Sequence, residues 1–186
     1  MSSLAVRFPE EWATLSVRDR GQEEVRELVA GLAVVGPEAQ AAADAFFGAV
    51  LPLLEGWGIS AFASLALPDE ESGGLVQAMC AIAVVSSATD ATDLRAIAES
   101  GPHPGLERET STVQLPLGPA IRSSAIRFVE ELLDADGVAP YALEVRFVVP
   151  LGSDRVGVLH FETMSLVFLE ELERQFDAIA GTTRIT

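Results

Sequence analysis

The stretch that most constrains the fold is an alternating run near the C-terminal end. Tyr141, Leu143, Val145, Phe147 and Val149 fall on one parity, and Ala142, Glu144, Arg146 and Val148 on the other. A period of two is the mark of a β-strand. A loop over 150–154 and a second strand over 155–162 follow, which makes a hairpin. Pairing Val149 with Arg155 sets Val145 against Leu159 and Leu143 against Phe161, all apolar. The same pairing sets Glu144 against His160 and Ala142 against Glu162 on a polar face. One face is then apolar and the other polar, so both strands agree on one pairing.

The rest of the chain fits around an antiparallel sheet. Leu4, Val6 and Phe8 suggest a short first strand, closed by Pro9 and a turn at Glu10-Glu11-Trp12. Asp19 caps a surface helix through Val25, Leu28, Val29 and Leu32. Pro37 opens a second helix, whose apolar stripe includes Ala39, Ala43, Phe46, Phe47 and Val50. Strands are expected over 59–67 and 75–85, joined by a charged Gly-rich turn. The second is apolar at both parities, as in a strand covered on both faces. A short helix through Leu94, Ile97 and Ala98 follows, then strands over 107–115 and 118–128. Leu166, Leu169, Leu172, Phe176 and Ile179 mark a C-terminal helix. The expected fold class is α+β. It is an α-β-α sandwich around one central antiparallel sheet of about six strands, with two N-terminal helices and a C-terminal helix. The whole of 1–186 reads as a single domain.

Three segments resemble actinobacterial Mog/PsbP-like proteins. They are Val6-Arg7-Phe8-Pro9-Glu10-Glu11-Trp12, Leu115-Pro116-Leu117-Gly118-Pro119-Ala120-Ile121-Arg122, and the region from Arg146-Phe147-Val148-Val149-Pro150 through Phe176-Asp177-Ala178-Ile179-Ala180. The resemblance spans about two-thirds of the chain and implies an α-β-α sandwich with a central antiparallel sheet, and mostly non-catalytic binding roles. It carries over no catalytic residues. The lipoprotein members have a lipobox cysteine, which has no counterpart here.

Composition removes whole classes of chemistry. All 12 basic residues are arginine, and the chain has neither lysine nor asparagine. Schiff-base chemistry, an ordinary P-loop and the kinase strand lysine are excluded with the ε-amine. N-glycosylation and a Cys-His-Asn set go with asparagine. The shared AT-rich codons of the two residues point to a GC-rich genome. Twenty-eight acids give a net charge of −16, which argues against nucleic acid as a partner. No segment reads as a membrane span, the N-terminal residues do not form a signal peptide, and Cys80 is the single cysteine. A cytoplasmic location is expected.

No metal site is expected, because two histidines and one cysteine lack zinc-like spacing. Asp134-Ala135-Asp136-Gly137 reads as a turn; a calcium loop would need a glutamate where Val145 stands. Cys80 reads as a buried thiol. His103, between Pro102 and Pro104, reads as part of a rigid loop. No residue is assigned as catalytic, and the candidates are His160, Glu144 and Glu162. A histidine beside carboxylates suits a general base, while the same face also suits solvated cross-strand charge pairs that include Arg146. Arg122 suits either an anionic ligand or an internal ion pair. Trp12 and Trp57, with Phe8, suit either an exposed anchor patch or the core. The binding candidates are therefore Arg122, Arg146, Trp12 and Trp57, and no cofactor is expected. The leading expectation is a non-enzymatic protein-binding module, an adaptor, chaperone or assembly subunit. Its acidic surface would steer it to a partner with a basic surface, and association with a second copy is compatible with the sequence. The alternatives are a carrier of a small hydrophobic ligand, with a pocket between sheet and helix, and a hydrolase or lyase using a His/carboxylate pair.

Overall fold

The computed structural model describes residues 4–16, 59–69, 74–86, 91–100, 106–129, 140–152 and 154–186. The two expected N-terminal helices, Trp57, His103 and the 134–137 turn lie outside these residues. In chain order the elements are β1 (Leu4–Ala5), β2 (Trp12–Ser16), β3 (Ile59–Pro68), β4 (Leu75–Ser86), α1 (Ala91–Ser100), β5 (Glu109–Leu115), β6 (Gly118–Phe128), β7 (Tyr141–Pro150) and β8 (Arg155–Thr163). A 3-10 turn (Leu166–Phe168), α2 (Leu169–Ala180) and β9 (Arg184–Ile185) complete the chain.

Seven strands form one sheet in the order β2-β3-β4-β8-β7-β6-β5, and every neighbouring pair is antiparallel. The protein is thus α+β and built on an antiparallel sheet. The strand beyond the expected six is β2. Its first residue, Trp12, is expected in a turn, because the preceding acids and Pro9 mask the alternation that starts there. The expected first strand shrinks to two residues, which pair with β9 in a separate small sheet. Prolines mark strand ends as expected at Pro68 and Pro150, and Pro116 lies in the turn between β5 and β6.

The hairpin of β7 and β8 forms with the expected parity but a register shifted by two residues. Val149 pairs with Gly157, Val145 with Phe161, Arg146 with His160 and Glu144 with Glu162. The cause is a tighter turn. Pairing runs on to Pro150 and Val156, the Leu151 amide donates to the Arg155 carbonyl at 2.8 Å, and Gly152 adopts a φ of 109° that favours glycine. A shift of two leaves every side chain on its expected face.

The two faces of the sheet hold separate cores. On one, Leu143, Val145, Phe147, Leu159 and Phe161 meet Leu172, Phe176 and Ile179 of α2. The rings of Phe161 and Phe176 stack at 4.6 Å, and Trp12 meets both edge-on at 6.4 and 6.3 Å. On the other face, Leu94 and Ala98 of α1 pack on Ile121, Val148, Val156 and Val158. The strands between are therefore covered twice, and β7 is buried at every position from Ala142 to Val149. The second parity of β7 is thus an interior surface rather than the solvated one its charges suggested, because α1 and its surroundings cover it.

Candidate functional site

The buried polar face of β6, β7 and β8 gathers the chain's densest set of charges among the described residues. Glu144 is fully buried and Arg146 nearly so. Arg108, just before β5, places Nη2 2.5 Å from Glu144 Oε2. Arg127, on the matching parity of β6, places Nε 2.8 Å from Glu144 Oε1 and donates through Nη2 to Glu162 Oε1 at 2.6 Å. One guanidinium thus bridges two carboxylates that the true register sets side by side. Two carboxylates facing each other across strands would repel, and Arg127 turns that repulsion into a clamp.

His160 completes the chain of contacts. Arg146 Nε donates to His160 Nδ1 at 3.1 Å, and His160 Nε2 lies 3.8 Å from Glu162 Oε2. A guanidinium has no acceptor, so His160 Nδ1 must carry the lone pair and Nε2 the proton. Burial by itself would raise the Glu162 carboxyl, but His160 and Arg127 outweigh it and hold the pKa below the ordinary 4.5. Burial, reinforced by the charge of Arg108, lowers Arg146 to about 10, and Glu144 opposes the shift. Arg146 has a further task. Helix α1 carries no basic residue in its last turn, and Arg146 Nη1 donates to the Ile97 carbonyl at 3.3 Å. The Ser123 hydroxyl donates to the next carbonyl, that of Ala98, at 3.0 Å. The sheet therefore supplies the C-terminal cap and the positive charge that the helix lacks.

These contacts decide what the cluster can do. A general base needs a free lone pair within reach of substrate. The only basic lone pair of His160 already accepts from Arg146, so proton abstraction would first break that bond. Glu144, His160 and Glu162 also place potential ligand atoms within 4.8 Å of one another. A divalent cation there would meet three guanidinium groups, two of them already bound to the carboxylates it would need, so the donor set does not suit one.

The other candidate residues lie elsewhere. Arg122 is on the opposite face of β6. It donates to Asp177 at 2.9 Å and to Glu173 at 2.8 Å, and its guanidinium carbon lies 5.9 Å from the Phe147 ring centre. Burial pulls its pKa down, but the two α2 carboxylates outweigh that and raise it. The arginine fork is thus spent on fastening α2 to the sheet. Trp12 is buried among Phe8, Phe161 and Phe176 and belongs to the core. Cys80 is fully buried, and burial pushes its thiol well above the ordinary 9.0.

Two residues of the cluster escaped sequence reasoning. Arg108 falls inside the strand expected over 107–115 but precedes the observed β5, and nothing in the local alternation sets it against Glu144. Arg127 was recoverable, because pairing β6 with β7 in register sets it opposite Ala142 and diagonal to Glu144. Two surface features also emerge. A groove of about 750 Å3 runs between the N-terminal segment and β2 to β4, lined by Val6, Phe8, Trp12, Ala61, Phe62 and Ile82 among others. At one end of the sheet, on the face that carries α2, Ile126, Phe128 and Tyr141 are 52%, 51% and 48% exposed, and the last two rings touch at 4.1 Å.

No family model and no curated protein matches the sequence. No described helix is long and apolar enough to cross a membrane. Among solved structures, the chain is similar to the crystal structure of LpqN, involved in cell envelope biogenesis of Mycobacterium tuberculosis. The superposition has a TM-score of 0.52 at 14% identity and covers 100% of this chain and 84% of that one. At that identity the likeness is one of fold, and it is to this α+β antiparallel-sheet fold that the site described above belongs.

Proposed function

We propose that the protein is a non-enzymatic binding module that engages another protein. The observation that carries this reading is the exposed pair of touching rings, Phe128 and Tyr141, beside Ile126. Aromatic side chains half in water at a sheet end are suited to anchoring a partner, since they present large apolar area at low entropic cost. The occupied lone pair of His160 supports the same reading by removing the most plausible base. A partner with a basic surface suits the net charge of −16. The finer architecture belongs to this proposal too: a single-domain α-β-α sandwich of Mog/PsbP-like type, with the two N-terminal helices that the sequence predicts. So does a cytoplasmic location, supported by the single buried thiol. Fractionation of the native host tests it against an envelope location.

Site-directed photocrosslinking tests the binding surface. In a lysine-free chain amine-reactive reagents reach only the N-terminal amine, so the photoreactive residue itself is placed at Tyr141 or, as a control, at Glu170. The expected result is one specific adduct from position 141 alone, lost when Phe128→Ser and Ile126→Ser are added. Equal labelling from both positions, or an adduct that survives the serine variants, overturns it.

A second reading, a carrier of a small hydrophobic ligand, is favoured by the groove at Phe8 and Trp12, whose volume falls in the range of ligand pockets. Titration with an anilinonaphthalene dye should give saturable binding that Phe8→Asp abolishes. Binding unchanged by Phe8→Asp would reject the groove as the carrier site.

A further inference from the structure

Strand β5 is an outer edge of the seven-stranded sheet and pairs, among the described residues, with β6 alone. That pairing fixes which of its backbone groups face outward. Gln114 stands opposite Pro119, and proline has no N–H, so this pair cannot exchange backbone hydrogen bonds. In an antiparallel ladder bonded and non-bonded pairs alternate, and the register of β5 runs from Glu109 to Leu115 without a shift. Thr110, Thr112 and Gln114 therefore turn their N–H and C=O groups away from β6. None of these groups meets a partner among the described residues, and Thr112 and Gln114 are exposed. Natural sheets protect such an edge with a bulge, a proline or a charge, most often lysine. Strand β5 has little of this. No proline or bulge interrupts it, the chain has no lysine, and Glu109 at its first position is its only charge.

We propose that β5 pairs with the same strand of a second copy of this chain, antiparallel about a two-fold axis at Thr112, so that the two sheets join into one. The outward groups select this register. An axis at Thr112 sets that residue against its own copy and sets Thr110 against the second copy's Gln114, so each outward N–H and C=O finds a partner. An axis one residue to either side leaves Thr110 or Gln114 beyond the end of the partner strand. On the opposite parity Ser111 meets the second copy's Val113, and Glu109 meets its Leu115. No acid therefore faces an acid along the seam, although each copy carries a net charge of −16. The strand is complementary to itself in hydrogen bonding and in charge. This surface is separate from the rings of Phe128 and Tyr141, because β5 starts opposite Ser124 and Phe128 lies beyond that point on β6.

Sedimentation equilibrium of the full chain from about 10 μM to about 1 mM covers the affinities that a small interface supports. The expected result is a reversible monomer–dimer transition. Thr112→Lys sets two like charges against each other at the axis and should weaken association at least about tenfold, with far-ultraviolet circular dichroism unchanged. Phe128→Ser should leave association as it is. Added cysteines then fix the register. The native Cys80 is buried, so a new thiol on β5 reacts without competition. At Thr112→Cys the two copies' Cα atoms would stand about 5.5 Å apart, within disulfide reach, whereas at Glu109→Cys they would stand about 20 Å apart. Mild oxidation should therefore link Thr112→Cys into a dimer at least about tenfold faster than Glu109→Cys. A monomer throughout the range, a dimer that Thr112→Lys leaves intact, loss of association in Phe128→Ser, or equal linking at the two positions overturns the proposal. Should Thr112→Lys fail to fold, the pair of cysteine variants decides it.

Discussion

Glu144 shows how far a residue's meaning depends on what faces it. In the sequence it is one polar member of an alternating strand. In the fold it is the buried acceptor for Arg108 and Arg127, placed beside Glu162 by the tight turn at Gly152. Removing one partner from a buried ionic set is far more damaging than removing the set, since the remaining charges stay buried. Glu144→Gln should therefore lower the unfolding free energy by about 3–5 kcal/mol, read from urea denaturation midpoints. Glu162 predicts a pH dependence. Its carboxyl is held below the ordinary 4.5, so the unfolded chain takes up the proton first as pH falls. The stabilisation is complete above that value and is lost as pH drops through the lower folded pKa. Thermal melts between about pH 5 and pH 3 should show a steeper loss for the native sequence than for Glu162→Gln. The presence of Glu144, Arg146, His160 and Glu162 on one face was legible in the sequence, because parity survives a register shift of two. Their pairings were not, because a loop of undetermined length leaves two registers of equal parity.

At the scale of elements, α2 and the N-terminal segment are attached by different means. Helix α2 combines an apolar seam with the Arg122 fork on Glu173 and Asp177. The ion pairs are partly exposed, so Arg122→Ala should cost only about 1 kcal/mol, less in high salt, while the helix stays docked by near-ultraviolet circular dichroism. The N-terminal segment depends instead on a missing side chain. A Cβ at Gly157 would lie 2.7 Å from Leu4 Cδ2 and 3.3 Å from Leu151 Cδ1. Gly157→Ala should destabilise the fold by about 1–3 kcal/mol, as overpacking does, and should raise hydrogen exchange first at Leu4 and Ala5, whose strand pairs with β9. Strands β3 to β8 and α1 were legible because alternation, a continuous apolar run or helical spacing marks each, and prolines or glycines bound most of them. Strand β2 was not, since an edge strand of five residues pairs on one side only and needs little apolar alternation.

For the molecule as a whole, the order of the strands matters as much as their number. Neither hairpin pattern nor composition reveals that β8 lies between β4 and β7, because that pairing joins residues about 70 to 80 positions apart, and local periodicity holds no memory of such distances. The same pairing has a temporal consequence. During synthesis β3 and β4 emerge together and can form their hairpin, yet β4 keeps an open edge until β8 is made. That edge exposes a mostly apolar strand with unpaired backbone groups. The middle of the sheet is thus the last part to close, and a ribosome pausing between β7 and β8 would hold the nascent chain at its most adhesive stage.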